Sequence, residues 1–349
     1  MKKSLLAIAV LTAVSGAASA QSSVTIYGKV DLGVVYDAGG PGKSVRLDSG
    51  VTGGSRIGFK GVEDLGGGTK FSFQLETGYC ADSAAGVTSG GTTVPNFCTG
   101  SNAFMGRQAH GDLTGAFGAL SAGRQYSLGF NNLSTIDPFG TGFAARSDNV
   151  SANGLTLFDD SGIRLNNSVT YSTPNIAGFT GSVEAAFGEQ TGNWEANRET
   201  GAAVNYAAGP AYAGVSYYDL DNAAGTGAAK KVLTVGGTYD FGVVKIHGMG
   251  QSVTGPSTLD FRSFLAGVTV PVGAAQILAS YIRHNDRTVA NQDASQVGVG
   301  VLYALSKRTS IYSSAARIQN THGASFLVGN ATATGTGNKS FDLGVVHNF

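Results

Sequence analysis

The segment Phe341-Asp-Leu-Gly-Val-Val-His-Asn-Phe349 alternates without a break. Phe341, Leu343, Val345, His347 and Phe349 fall on one face of an extended strand, and Asp342, Gly344, Val346 and Asn348 fall on the other. The last residues of a soluble domain usually fray. Alternation that runs to a terminal aromatic suits a strand paired on both sides that closes a barrel in lipid, because an open edge there leaves N–H and C=O groups without partners. An ordinary final strand of a soluble sheet fits the nonapeptide equally well, so the rest of the chain has to decide.

Lys2 and Lys3, the apolar run Leu5 to Val14 and the small residues ending in Ala18-Ser-Ala20 follow the order of a secretory signal peptide, too short to span a bilayer. Cleavage is expected after Ala20, leaving residues 21–349 as one domain. The 23 basic and 23 acidic residues balance, and loss of Lys2 and Lys3 leaves the mature chain two charges negative. Such a balance gives no reason to expect a nucleic-acid partner. Charged residues make up only 13 % of the chain, against about 25 % in a typical soluble domain. Fifty-three glycines, many inside alternating segments, with seven prolines point to twisted strands rather than disorder. An exported, charge-poor, Gly-rich chain without a helix period has the profile of an outer-membrane barrel.

Taken in order, Ser23 to Tyr36 places Val24, Ile26, Val30, Leu32 and Val34 on one face and Thr25, Tyr27, Lys29 and Asp31 on the other. A second strand, Val45 to Gly61, turns Ile57 and Phe59 outward and Arg56 and Lys60 inward. The third opposes Phe71, Phe73 and Leu75 to Lys70, Ser72, Gln74 and Glu76. Strands near Asn102–Leu113 and Ala119–Tyr126 follow, then an unusually long connection from Ser127 to Gly162. A loop much beyond about 15 residues is usually functional. Eleven more strands run from Arg164 onward, with alternately short and long connections. The total of sixteen predicts an antiparallel transmembrane up-and-down β-barrel.

Cys80 and Cys98 are the only cysteines. In an oxidising compartment they are expected to form a disulfide across a loop rich in Gly, Ser and Thr. No metal-ligand spacing, P-loop lysine or catalytic constellation stands out, so neither a cofactor nor an enzyme is expected. Asp159-Asp160 and the Asp219/Asp221 pair read as solvated external-loop acids rather than a calcium site.

Several phrases, in order along the mature chain, resemble the Gram-negative general porins, nearest the neisserial, burkholderial and comamonad group. They are Ser23-Val-Thr-Ile-Tyr-Gly28, Ser55-Arg-Ile-Gly-Phe-Lys-Gly-Val-Glu-Asp-Leu-Gly66, Gly106-Arg-Gln-Ala109, Gly123-Arg-Gln125, Asn167-Ser-Val-Thr-Tyr171, Leu305-Ser-Lys-Arg-Thr309 and His347-Asn-Phe349. The resemblance implies a homotrimer of barrels in outer-membrane lipid and lipopolysaccharide, inserted by the barrel-assembly machinery through a signal ending in Phe349. It implies a water-filled channel for ions and small hydrophilic solutes, with residues 127–162 folded into the lumen as a constriction loop. By the same resemblance, Arg56, Arg107 and Arg164 form the basic side of the constriction, and Glu76 and Asp137 the acidic side. The expected channel is weakly anion-selective; a substrate-selective channel for small anionic solutes is the alternative. Strand parity supports the inward placement of Arg56, Glu76 and Arg164. Arg107 shares a parity with Ala109, Gly111 and Leu113 and needs a bulge near Gly106 to turn inward, and Arg124 has the same difficulty beside Leu120 and Ala122.

Overall fold

A computed structural model describes residues 23–40, 42–83, 88–89, 92–93, 104–159, 161–256, 259–329 and 337–349. The signal-peptide expectation and Cys98, with its bond to Cys80, lie outside these residues. Strands β1 (Ser23–Ala38), β2 (Ser44–Ser49), β3 (Arg56–Gly66), β4 (Thr69–Gly78), β5 (Gln108–Gly115) and β6 (Gly118–Tyr126) lead to the helix α1 (Leu128–Ile136). Eleven strands follow: β7 (Arg164–Ser172), β8 (Phe179–Ala186), β9 (Glu199–Ala208), β10 (Ala211–Asp221), β11 (Ala228–Asp240), β12 (Lys245–Thr254), β13 (Asp260–Val272), β14 (Ala275–Asp286), β15 (Ala294–Ala304), β16 (Thr309–Asn320) and β17 (Lys339–Asn348).

Neighbours pair antiparallel throughout, and β17 returns to β1 in register from Lys29↔Asn348 to Ala38↔Lys339. The sheet therefore has no free edge, as lipid demands. Seventeen strands make sixteen staves, because β2 and β3 share one partner: Ser44–Ser49 pairs with the second half of β1 and Arg56–Val62 with its first half. The continuous second strand expected from Val45 to Gly61 is thus broken at 50–55. Asp31 pins that break, accepting from the Thr52 amide at 2.7 Å, the Thr52 hydroxyl at 2.6 Å and the Tyr312 hydroxyl at 2.7 Å.

The exposure pattern is that of a membrane barrel. Val215 and Tyr217 are exposed on β10 while Ser216 and Tyr218 are buried; Val297, Val299 and Val301 are exposed on β15 while Gln296 is buried. On β17 the apolar residues Phe341, Leu343 and Val345 face out and Asp342 is buried. This is the alternation of a soluble sheet with its environments exchanged.

Among the described residues the larger apolar core cluster is not made by the wall alone. Leu133, Ile136, Phe139, Phe143, Leu157 and Phe158 of the long connection pack against wall residues such as Met249, Leu265, Ile282, Tyr312 and Ile318. The sequence reading placed no helix in this connection. α1 is capped by Ser127, whose hydroxyl accepts from the Phe130 amide at 3.1 Å, a standard N-cap bond. Its buried face is Gly129, Asn132, Leu133 and Ile136, an i, i+3, i+4, i+7 set. Only two of the four are large and apolar, so the helix period was hidden.

Candidate functional site

Lys29, Arg56, Glu76, Arg107, Tyr126 and Arg164 come from successive neighbours around the wall: β1, β3, β4, the residue before β5, β6 and the start of β7. Glu76, 2 % exposed, is the centre. Arg107 Nε donates to its Oε1 at 2.7 Å, Arg56 Nη1 lies 3.9 Å from the same oxygen, and the Tyr27 hydroxyl donates to Oε2 at 3.0 Å. The Tyr27 oxygen in turn accepts from Gln74 Nε2 at 2.8 Å. The Tyr126 hydroxyl joins the remaining arginine, accepting from Arg107 Nη2 at 2.7 Å and Arg164 Nη2 at 3.1 Å. The Arg164 guanidinium also sits 4.7 Å from the Tyr126 ring centre, a cation–π contact.

The broken strand makes room for this cluster. A Cβ on Gly53 would stand 3.4 Å from both Arg56 Nη2 and Lys29 Nζ, and one on Gly54 only 2.9 Å from Arg107 Nη1. Two successive glycines let three cations stand side by side over bare backbone. Lys29 was read as an inward residue of the first strand but not as part of the site; Tyr27 and Tyr126 were likewise missed as connectors.

Parity gives way for the other two arginines. Arg107 precedes β5 rather than standing within it; Met105 holds a left-handed φ of 56°, and the Arg107 amide donates to Glu76 O at 3.1 Å. The chain therefore enters β5 with Arg107 already aimed at Glu76. At Arg124 the pairing of β6 with β7 slips between Gly123 and Gln125. Gly123 has φ +132°, and a Cβ there would meet Ala109 O at 2.3 Å. The bulge re-aims Arg124, whose Nε donates to Gly106 O at 2.7 Å and Nη1 to Asn166 Oδ1 at 2.5 Å.

Asp137 stands elsewhere. Its carboxylate accepts from the amides of Phe139 at 2.9 Å, Thr141 at 3.1 Å and Ser147 at 2.9 Å. Burial pushes the carboxyl above its ordinary range despite these donors. The residue braces its own turn, and none of the bonds found for it reaches Arg56, Arg107 or Arg164.

Residues 127–162 are fastened to the buried-parity side chains of the far wall. Tyr218 OH and Glu184 Oε2 accept from the Leu128 amide at 2.6 and 3.1 Å, and the Ile136 carbonyl lies 2.7 Å from His247 Nδ1. Asp342 Oδ2 accepts from the Ala144 amide at 3.0 Å, and Asn149 Nδ2 donates to Gln296 Oε1 at 2.6 Å. Gln251 holds Asp159 from both sides, at 2.6 and 2.8 Å. Asp159 also pairs with Lys230 at 2.9 Å, and Asp221 with Arg198 at 2.8 Å, so these acids are not simply solvated. Among the described residues no group of three or more His, Cys, Asp or Glu side chains is arranged to hold a metal ion.

Comparison with known proteins agrees with this architecture. A family profile described as Gram-negative porin matches residues 7–323. The chain is 33 % identical to outer membrane porin protein 32 of Delftia acidovorans, over 92 % of this chain and 90 % of that protein. It is 30 % identical to the major outer membrane protein P.IB of Neisseria meningitidis serogroup B, over 97 % of this chain and all of that protein. The fold is similar to that of the anion-selective porin from Comamonas acidovorans, with a TM-score of 0.74 and 27 % identity over 94 % of this chain and 100 % of that one.

Proposed function

The chain belongs to the Gram-negative porin family, a diffusion channel of the outer membrane rather than an enzyme, and on that premise we propose that it prefers anions at a constriction formed by the basic cluster and residues 127–162. The observation that carries this reading is the charge balance around Glu76. Arg56 and Arg107 meet the one carboxylate of Glu76, Arg164 joins them through Tyr126 with Lys29 beside Arg56, and Asp137 spends its charge on amides of its own turn. A positive surplus therefore remains on the wall although the mature chain as a whole is slightly acidic.

Two unit charges about 4 Å apart interact by roughly 1 kcal/mol in bulk water and more strongly where protein lowers the effective dielectric. A surplus of that size favours an anion over a cation several-fold and still releases it. The anchoring of residues 127–162 to buried-parity side chains supports their reading as the constriction loop. The wall cluster they would face lies on the opposite, basic stretch from β1 to β7. Assembly as a homotrimer and the Cys80–Cys98 bond belong to the same proposal. So do insertion by the barrel-assembly machinery and contacts with lipopolysaccharide. The Neisseria and Delftia relatives are named as outer membrane proteins, and the Comamonas porin as anion-selective.

The test is the reversal potential of single channels in KCl gradients. An anion-preferring sign is expected in dilute salt, fading in molar KCl where the Debye length falls to about 3 Å. A cation-preferring wild type would remove the assignment of the arginines while leaving the barrel intact.

A further inference from the structure

We propose that the outward face of β16 and β17 holds a lipid phosphate of the outer leaflet, clamped between Arg317 and Lys339. The two residues stand directly opposite each other in the pairing of β16 with β17. Both are exposed, and both share the lipid-facing parity of their strands, Lys339 with Phe341, Leu343 and Val345, Arg317 with Ile311. Their chain neighbours Ser340, Ala316 and Ile318 are buried. The site gives a place to the lipopolysaccharide contact proposed above, and rests on it.

Like charges directly opposite across a ladder repel, and the chain does not compensate this pair. Among the described residues neither Arg317 nor Lys339 takes part in an ion pair. Other cations at the same end have a carboxylate: Asp293 lies 2.5 Å from Arg283, Asp221 2.8 Å from Arg198, and Asp219 3.7 Å from Lys231. The sequence offers none here, because residues 294–341, which cover β15, β16 and the start of β17, contain no Asp or Glu. The acids nearest in the pairing, Asp37 on β1 and Asp342 on β17, are buried on the opposite face of the sheet. Neighbouring strands lie about 4.8 Å apart, so one phosphate group reaches both donors and accepts charge-assisted bonds from each. A zwitterionic head group brings its own cation and gains less.

The depth is that of a head group. Tyr36 and Phe341 pair with each other two residues nearer the middle of the barrel, and both are exposed on the face that carries Lys339. Tyr281, also exposed, stands in the same row as Arg317, with Val297 between them. Aromatic side chains gird a barrel where hydrocarbon gives way to head groups. Beyond Arg317 and Lys339 the chain leaves the sheet for the long connection between β16 and β17, and long connections mark the external end of such a barrel. A basic pair just past the aromatic row therefore meets the phosphate layer of the outer leaflet rather than hydrocarbon.

The experiment is native mass spectrometry of the folded barrel, released from detergent with added bisphosphorylated lipid A or with the same lipid stripped of its phosphates. Lipid A is expected to stay on the wild type, and the phosphate-free form to be retained about tenfold less. Arg317→Gln together with Lys339→Gln should lower retention of the phosphorylated lipid about tenfold. Lys307→Gln together with Arg308→Gln, in the short turn at the opposite end, should leave it unchanged. The first double variant should also keep the wild-type reversal potential, because its two charges face away from the channel; a shifted potential would turn them inward and overturn the site. Equal retention of the two lipids, or undiminished retention by the first double variant, overturns the site while the lipopolysaccharide contact stands. A wild type that holds no lipid A overturns both. Displacement of lipid A by equimolar inorganic phosphate would give the pair to the free ion, and a photo-crosslinker at position 339 that traps a second copy would give the face to a neighbouring protomer; either result overturns the lipid.

Discussion

The two sides of the barrel are built differently. From β8 to β17 and back to β1, the pairing runs with one register slip, between Leu220 and Asp221. From β1 to β7 the wall is repeatedly interrupted. It breaks at 50–55, turns through a left-handed Met105 before β5, slips at Gly123/Gln125 and turns again at Asn167, whose φ is 52°. The cations Lys29, Arg56, Arg107, Arg124 and Arg164 all lie on the interrupted side. Regular pairing fixes which face of a strand meets lipid, so it can offer an inward charge only at every second residue. Two of these irregularities, the left-handed Met105 before Arg107 and the slip at Gly123/Gln125, re-aim an arginine against its parity; an arginine facing lipid near the midplane would cost about 2–4 kcal/mol. The regular side supplies closure and the platform for residues 127–162; the irregular side carries the arginines joined through Glu76 and Tyr126.

The largest effect is expected at the seam that closes the regular side. The Phe349 amide donates to Gly28 O at 3.1 Å, the Gly28 amide to Phe349 O at 3.0 Å, and a Cβ on Gly28 would come within 2.3 Å of the Phe349 ring. Deleting Phe349 should leave the chain unassembled in the periplasm, degraded or aggregated, as surface labelling and heat-modifiability on gels would register. Normal surface-exposed barrels from that variant would break the comparison, since the seam would then matter no more than the interrupted side.

Next in size is charge reversal on the interrupted side. Arg56→Glu together with Arg164→Glu should turn the channel cation-selective in dilute KCl with little loss of expression, because neither residue belongs to the core clusters. Retained anion preference in the double variant would place the selectivity elsewhere.

A smaller effect separates the two possible roles of Asp137. If its carboxylate braces the turn, Asp137→Asn should leave the reversal potential where it was, since no pore-facing charge is removed. Its stability contribution also has a sign. Burial raises the carboxyl in the folded chain, so the contribution is fully present below the unfolded value of about 4 and is lost as pH rises through the folded value. The Asn side chain cannot ionise, so the variant should gain on the wild type as pH rises, its melting temperature relative to the wild type being higher at pH 7 than at pH 4. A clear rise in anion preference would instead make Asp137 a constriction acid.

The smallest expected effect concerns Cys80. Reducing a Cys80–Cys98 bond should leave conductance nearly unchanged. Breaking it should cost stability of about 3 kcal/mol by the loop-entropy argument. Two free thiols found by mass spectrometry in native protein would remove the bond itself, and a collapsed conductance on reduction would tie that loop to the channel.

The sequence by itself determined the barrel. Period-two alternation, scarce charge, alternating connection lengths and the final Phe341–Phe349 strand all follow from one requirement, that every backbone group in lipid be paired while every second side chain faces hydrocarbon. It also determined that Arg56 and Glu76 share the inward face, because their strands keep parity. Tertiary structure alone decided the rest. A register slip or a left-handed residue is a property of two strands meeting, so the aim of Arg107 at Glu76 and of Arg124 at Gly106 and Asn166 left no mark in the local pattern beyond Gly106 and Gly123. Asp137 in Asp-Pro-Phe-Gly is an acid of the constriction by resemblance alone, and only the packing of residues 139–147 around it shows its carboxylate accepting from amides of its own turn. The helix α1 is short and half polar on its buried face, and helices of that length draw their stability from what they pack against. Here that partner is a wall whose strands β9 to β12 begin some 60 residues or more farther along the chain.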